Sequence, residues 1–208
     1  CDAADSVMRQ YSFLMQSLKA AQARIATLKS HAQKAIIADE LTLIEAGVKA
    51  VEASSATGGS FDGPTADLEA LLLRLTSAEK TADSHAEYLK LRASKEVEPR
   101  LTVLEKHNHR YAIKANIDTI RSKLAEAEIK AAALDHDTAI KLLEEVKALG
   151  ISSIVLADMR ENKPPKSEDI KAILARPDGT EELDAMVDAL EPDAQRAVLR
   201  VAFEARFG

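Results

Sequence analysis

VMRQYSFLMQSLKAAQARIATLKSHAQKA, residues 7–35, carries apolar or small side chains at alternating intervals of four and three residues. The positions in this seam are Val7, Tyr11, Leu14, Leu18, Ala21, Ile25, Leu28, Ala32 and Ala35. Such a spacing places one apolar stripe along an α-helix and is typical of helices that pack against neighbours over their whole length. The stretch therefore predicts a long helix, and with it an α-helical fold.

A second seam follows the first after a slip of two residues. Its positions are Ile37, Leu41, Ile44, Val48 and Val51. A two-residue slip turns the apolar stripe by about 200° around a helix, because each residue advances by about 100°. We therefore expect one helix over residues 5–53, with two faces that touch different neighbours.

Glycine and proline mark the other expected boundaries. SSATGGSFDGP, residues 54–64, predicts a connector between helices, with a flexible binding loop as the alternative. Pro99 either kinks a helix or begins a new one. Gly150 is the expected end of a helix capped by Asp135 or Asp137. The β-branched run that follows, residues 151–159, is expected to be a further helical turn, with a short strand as the alternative.

The composition supports the same fold class. The chain has 37 alanines among 208 residues, only seven glycines and six prolines, and 3% aromatic residues. Alanine is the strongest helix former, and little turn-rich material remains for a β-sheet. We predict an all-α protein in which residues 1–160 form long antiparallel helices, as an extended bundle or coiled-coil-like hairpin. Residues 161–208 are predicted to form a small three-helix module, with Ser167 and Thr180 as N-caps and Pro192 near the start of the last helix.

Charge and cysteine content narrow the classes of function. The net charge is −6, and residues 167–208 carry five basic against ten acidic side chains, which argues against general nucleic-acid binding. The single cysteine, Cys1, excludes an internal disulfide and a cysteine-based zinc cluster. Without an apolar run of 18 residues, no membrane span is expected, and we expect a soluble chain that is cytoplasmic or secreted by a leaderless route. The alternative is a lipid anchor at Cys1, since CDAADS at residues 1–6 is similar to the start of a processed bacterial lipoprotein.

EKHNHRYAIK, residues 105–114, holds the candidate site residues. On a helix His107 and His109 point about 200° apart, so they cannot share a metal ion, and we expect no metal and no cofactor. Lys106, Arg110 and Lys114, by contrast, are spaced to line one helix face. The stripe is a candidate contact for a protein partner or a phosphate group, and a solvated face is the alternative.

Catalytic patterns are not evident. Glu144 and Glu145, like Glu181 and Glu182, are adjacent and point to different sides of a helix, unlike an acid and a base held across a cleft. The glycine-rich connector lacks the lysine of a phosphate-binding loop, and no serine or cysteine lies in a recognisable nucleophile motif. We therefore expect no enzymatic activity.

Two stretches resemble parts of known proteins. RPDGTEELDAMVDALEPDAQRAVLRVAFEARFG, residues 176–208, is similar to short helical modules of very large bacterial secreted effectors or polymorphic toxins. RYAIKANIDTIRSKLAEAEIKAAALDHDTAIKLLEEV, residues 110–146, resembles the repeated helical hairpins in the non-catalytic parts of such proteins. The shared features are patterns of Leu, Ala and Asp, so no functional residue is carried over. The resemblance implies an accessory or scaffold region.

The functional prediction follows from these points. We expect a non-enzymatic helical scaffold or protein-interaction region, as part of a larger bacterial effector-like protein. The alternatives are a cell-envelope lipoprotein with a coiled-coil-like body, and a weak phosphate or nucleic-acid binder that uses Lys106, Arg110 and Lys114. A protein partner is expected, and the exposed helical seams also allow self-association.

Overall fold

The computed structural model describes residues 2–57, 60–106, 111–161, 163, 165–188, 190 and 192–207. All regular structure in these ranges is helical, so the predicted all-α class is confirmed. The helices are α1 (Asp2–Ser30), a short 3-10 helix (Lys34–Ile37), α2 (Ala38–Ala56), α3 (Asp62–Arg92), α4 (Glu98–Glu105), α5 (Tyr111–Ala132), α6 (His136–Arg160), α7 (Ser167–Leu174), α8 (Gly179–Asp188) and α9 (Pro192–Phe207).

The chain divides into two compact units. The first is Cys1–Glu87 and the second is Tyr88–Gly208, so the division falls inside α3. It does not coincide with the boundary between residues 160 and 161 that the sequence suggests. That residues 161–208 form a separate module, able to fold by itself, stays a prediction.

The expected single helix over residues 5–53 is wrong. Helix α1 ends at Ser30 and α2 begins at Ala38, so the chain breaks where the seam slips by two residues. In the break, the Nδ1 atom of His31 accepts a hydrogen bond from the Gln33 N–H at 3.1 Å. The break lets both seams face one core, whereas a continuous helix would turn them apart by about 200°.

The first unit is a three-helix bundle. The ring of Tyr11 lies tilted against that of Phe61, just before α3, with centroids 5.6 Å apart. Arg24, further along α1, reaches Glu79 of α3 at 2.6 Å, so these two helices run parallel. Helix α2 runs antiparallel to both. The core is formed by Leu14, Leu18, Ala21, Ile25, Leu28, Ile37, Leu41, Ile44, Val48, Val51, Phe61, Leu68, Leu71, Leu75, Ala78 and Ala82. Most seam positions predicted from the 4,3 spacing therefore become core residues.

The ion pair between Arg24 and Glu79 gives the first unit a pH-dependent stability. The hydrogen bond from Arg24 lowers the pKa of Glu79 below its ordinary value of 4.5, and burial opposes this only in part. Because the folded-state pKa is the lower one, the stabilisation is present above pH 4.5 and is lost as the pH falls through the folded-state pKa. Both side chains are about one-third exposed, so we expect a contribution of less than about 1 kcal/mol.

Urea unfolding between pH 7 and pH 3 measures this contribution. In Glu79→Gln, and equally in Arg24→Gln, the free energy of unfolding should fall less over this range than in the native chain. An acid-induced loss that is identical in all three proteins would contradict the assignment.

In the second unit, α4 starts at Glu98 with Pro99 in its first turn, so this proline begins a helix. The turn between α5 and α6 places Leu134 at φ 61°, and the Asp135 carboxylate accepts a hydrogen bond from the Thr138 N–H at 3.3 Å. Asp135 is thus the N-cap of α6. Helices α5 and α6 pack their apolar faces onto α4 and onto each other.

Helix α6 continues through Gly150, so the expected stop at this glycine is wrong. Residues 151–159 are helical, which excludes the alternative of a strand. The hydroxyls of Ser152 and Ser153 donate to carbonyls four residues earlier, at 3.1 and 2.7 Å, and so satisfy their own polar groups inside the helix. The glycine has a packing reason: a Cβ at position 150 would lie 3.1 Å from the Cδ of Arg100 on α4.

Helices α7, α8 and α9 share a core with the last turns of α6. Its members are Ile151, Val155, Met159, Ile170, Ile173, Leu183, Val187 and Val198. Polar contacts join these helices to one another and to α4. Arg100 donates to Asp169 at 3.1 Å, and Arg176 donates to the Ser152 hydroxyl at 3.0 Å and to Glu182 at 2.9 Å. These side chains are largely buried, so each charge needs its partner to offset the loss of water.

The helix starts in this region differ partly from the expectation. Ser167 is not the N-cap of α7, because that position belongs to Lys166, whose side chain makes no capping hydrogen bond. Helix α8 already begins at Gly179, so Thr180 lies inside it. The tight turn from α7 brings the helix start against a backbone carbonyl, where only glycine fits. Pro192 begins α9, as predicted.

Candidate interaction surfaces

The predicted cationic stripe falls at the junction of α4 and α5. Lys106 follows the last residue of α4, and Lys114 is an exposed residue of α5. Arg110, with His107 and His109, lies outside the described residues. Helix α4 ends at Glu105, so Lys106 lies just beyond it, whereas Lys114 belongs to α5. A partner or phosphate contact at these residues stays a prediction.

The surroundings of Lys114 carry both signs of charge. It lines a shallow depression of about 160 Å³ together with Ile117, Asp118 and Arg121. Arg121 donates to Glu105 at 2.6 Å and lies 3.9 Å from Asp118. Binding of a phosphate group is favoured by an excess of positive charge, and the carboxylates here offset much of it.

A groove lies between α2 and α3 in the first unit. Its volume is about 430 Å³. The residues that line it are Gly47, Ala50, Val51, Ser54, Asp67, Ala70, Leu71 and Arg74. Gly47 explains the close approach of the two helices, because a Cβ at this position would lie 2.6 Å from the Cδ2 of Leu71. The side chains of Ala50, Ser54 and Ala70 are small, so they leave the groove unfilled.

Two exposed leucines flank this groove. Leu43 lies four residues before Gly47 and is 57% exposed, and Leu73 lies three residues after Ala70 and is 74% exposed. Residues three and four apart project from the same side of a helix, so both leucines stand beside the small residues. Leu43, Leu73 and the groove residues form one surface, which we name the α2–α3 face.

Charges of both signs lie on the α2–α3 face. Arg74 donates two hydrogen bonds to the Glu40 carboxylate, at 2.8 and 3.0 Å, and these bonds lower the pKa of Glu40. The pair therefore remains ionised at neutral pH and fixes the position of Arg74 along the groove. Asp67 supplies a further negative charge seven residues earlier on α3.

Sequence reasoning missed the α2–α3 face, although signals for it exist. A glycine in the middle of a helix, as at Gly47, usually has a packing reason. Leu43 and Leu73 are large apolar residues that lie off the seams, which is the pattern of an outward-facing contact.

We next consider metal-binding and titratable side chains in the described part of the chain. There, no group of three or more His, Cys, Asp or Glu side chains could hold a metal ion. Burial lowers the pKa of His85, which lies on α3. The arrangement is suited to contacts between helices.

Two further findings bear on the kind of protein. None of the helices, as far as their residues are described, has both the length and the apolar content that a membrane crossing requires. Comparisons with protein-family models, with curated protein sequences and with solved structures gave no match.

Proposed function

We propose that the chain is a non-enzymatic helical interaction region that pairs with a second copy of itself through the α2–α3 face. One observation carries this proposal: the same surface presents two exposed leucines and, directly beside them, a hollow lined by small residues. An interface about a two-fold axis has to be complementary to itself, because each copy contributes the same residues. A surface with both projections and hollows meets that condition.

The pairing would complete the packing of the first unit. Leu43 and Leu73 of one copy would fill the hollow at Gly47, Ala50 and Ala70 of the other, as knobs fill holes between helices. The surface also holds opposite charges, Asp67 and Arg74, which a two-fold arrangement can bring face to face. Self-association thereby removes apolar area that the single chain leaves in water.

The expected affinity is modest. Burying four leucine side chains, two from each copy, contributes at most about 1.5–3 kcal/mol for each one, because Leu43 and Leu73 are already partly buried in the single chain. Association costs roughly 4–15 kcal/mol in lost translational and rotational freedom. The balance corresponds to a dissociation constant on the order of micromolar or weaker. The interaction is therefore a regulated or avidity-dependent contact rather than an obligate dimer.

The resemblance of residues 110–146 and 176–208 to accessory regions of large bacterial effectors is consistent with this role. A weak pairing contact gains strength when a longer protein carries several such regions, because linked sites raise one another's effective concentration. In that setting the chain would act as a scaffold that brings copies of its parent protein together.

Sedimentation equilibrium with charge-bearing variants tests the proposal. The double variant Leu43→Glu with Leu73→Glu places four carboxylates in the paired interface and should weaken self-association at least about 100-fold, since buried unpaired charges are costly. Ile129→Glu is the matched control, because Ile129 is 68% exposed on α5 and lies outside the face. It should associate like the native chain.

Circular dichroism of all variants verifies that the helices are intact. A native chain and a double variant with the same concentration dependence of mass would contradict the proposal.

A further inference from the structure

A second groove, in the second unit, lies between the end of α6 and helix α9. Its volume is about 580 Å³. The apolar residues that line it are Met159 of α6 and Ala194, Ala197, Val198 and Val201 of α9. Met159 and Val198 are buried members of the core, so the groove has a firm apolar floor.

Positive charges border this groove. Arg196 and Arg200 lie four residues apart on α9, and Lys163, just beyond α6, adds a third cation. Asp193 is the one acidic residue among those that line the groove in the described part of the chain. The lining residues therefore carry three cations against one carboxylate, and Glu161 and Glu204 lie next to the lining as ion-pair partners of Lys163 and Arg200.

The two arginines are available to a partner. Their side chains are each 80% exposed, and within the described part of the chain they form local ion pairs along α9, to Asp193 and to Glu204, both at 3.5 Å. Exposed pairs of this kind contribute little to stability, so carboxylates of a partner can replace them at small cost. Lys163 lies 2.7 Å from Glu161 and is held beside the groove.

The positive charges at the groove contrast with the net negative charge of the surrounding segment. Residues 167–208 carry ten acidic and five basic side chains, and two of those five basic residues are Arg196 and Arg200. An acidic partner is repelled by most of this segment and attracted at the groove. Such a contrast favours one place and one orientation of binding.

We propose that the groove between α6 and α9 binds an acidic amphipathic helix of a partner protein. Apolar side chains of that helix would lie on the floor, and carboxylates spaced four residues apart would face Arg196 and Arg200, because both helices repeat at the same interval. The lining residues of α9 extend from Asp193 to Val201, about 12 Å along the helix, which corresponds to roughly two turns of the bound segment. This recognition goes beyond the self-pairing proposed above, since it uses another unit, another surface and another occupant.

Fluorescence anisotropy with two labelled peptides tests the inference on the full chain. The first peptide is a 14-residue helix with Leu on one face and Glu at the other positions, and the second carries Lys in place of every Glu. The Glu peptide should bind at least about 10-fold more tightly than the Lys peptide, and raising the salt concentration should weaken it. Binding should persist in Leu43→Glu with Leu73→Glu, so a failure here is separate from a failure of self-pairing.

Variants of the lining residues test whether the Glu peptide binds at the groove. Arg196→Glu with Arg200→Glu should weaken the Glu peptide at least about 10-fold, because attraction becomes repulsion. Lys49→Glu with Lys90→Glu is matched in net charge, uses two exposed lysines that do not line the groove, and should have no such effect. Ala197→Phe keeps the charges but fills the groove, and it should weaken binding as well.

Three outcomes would overturn the inference: neither peptide binds, the Lys peptide binds as well as the Glu peptide, or the control pair weakens binding as much as the arginine pair. A fourth arm uses vesicles of anionic phospholipid. Arginine-dependent binding of the chain to these vesicles, without peptide binding, would replace the protein partner by a lipid surface and so overturn the proposal.

Discussion

Gly179→Ala is expected to destabilise the second unit by about 3 kcal/mol or more. A Cβ at position 179 would lie 1.8 Å from the carbonyl oxygen of Ile173, 2.7 Å from its carbonyl carbon and 3.1 Å from the Cα of Leu174. All three atoms belong to the backbone, so no side-chain rotation relieves the overlap, and the turn between α7 and α8 has to open. Overpacking of a tight site usually costs about 1–3 kcal/mol, and a backbone clash lies at or above the upper end.

Gly63→Ala is the matched control. Gly63 lies in the first turn of α3, and a Cβ there meets no atom within 4 Å. Alanine also has the higher helix propensity, so this variant should be as stable as the native chain or more stable by up to about 1 kcal/mol. Urea unfolding followed by circular dichroism compares the two variants. Equal stabilities would show that the α7–α8 turn is not packed as described.

Leu75→Ala is expected to cost about 2–5 kcal/mol. Leu75 is fully buried at the centre of the core formed by α1, α2 and α3, and its truncation leaves a cavity that the neighbouring helices cannot close completely. The large range reflects how far the surrounding side chains relax. Thermal and urea unfolding both report the loss.

Leu73→Ala, two residues away on the same helix, should change the free energy of unfolding by less than about 0.5 kcal/mol. Leu73 is 74% exposed, so its truncation leaves no cavity. Both measurements belong at low protein concentration, where the proposed pairing through Leu73 is dissociated and does not add to stability. A comparable loss in both variants would contradict the orientation of α3 in the bundle.

The positions that pack were predictable from the chain because they follow a local rule. Leu14, Leu18 and Ala21 repeat at the 4,3 interval, and the same interval places Ile113 and Ile117 in the second core. Pro99 could not be assigned from its neighbours, since a kink and a helix start both satisfy the backbone of proline. Contacts with other helices determine whether Pro99 kinks a helix or begins one.

The breaks of the helices were harder to predict than the helices themselves. The two-residue slip after Ala35 is compatible with one helix that contacts two partners and with two helices that share one core. Only the position of α3 distinguishes these two arrangements. Gly150 in turn resembles a helix stop, but it faces Arg100, fifty residues earlier, and this contact is not visible in local sequence.

The candidate interaction surfaces were hard to predict for the same reason, because they depend on contacts between residues that are distant in sequence. The spacing of Lys106, Arg110 and Lys114 places them on one face only if a single helix carries all three, and Lys106 already lies beyond the last residue of α4. The α2–α3 face, by contrast, arises from residues of two helices that are about twenty residues apart in sequence, such as Ala50 and Ala70. Neither helix alone indicates that the small residues meet.

Sedimentation equilibrium of the native chain tests the self-pairing most directly. The measurement needs a reducing agent, so that Cys1 cannot link chains covalently, and concentrations from about 1 μM to about 500 μM, which bracket the expected affinity. The account predicts a mass near 22.5 kDa at the lowest concentration that rises toward twice this value, and no such rise in Leu43→Glu with Leu73→Glu. A native chain that remains at 22.5 kDa over the whole range would contradict it.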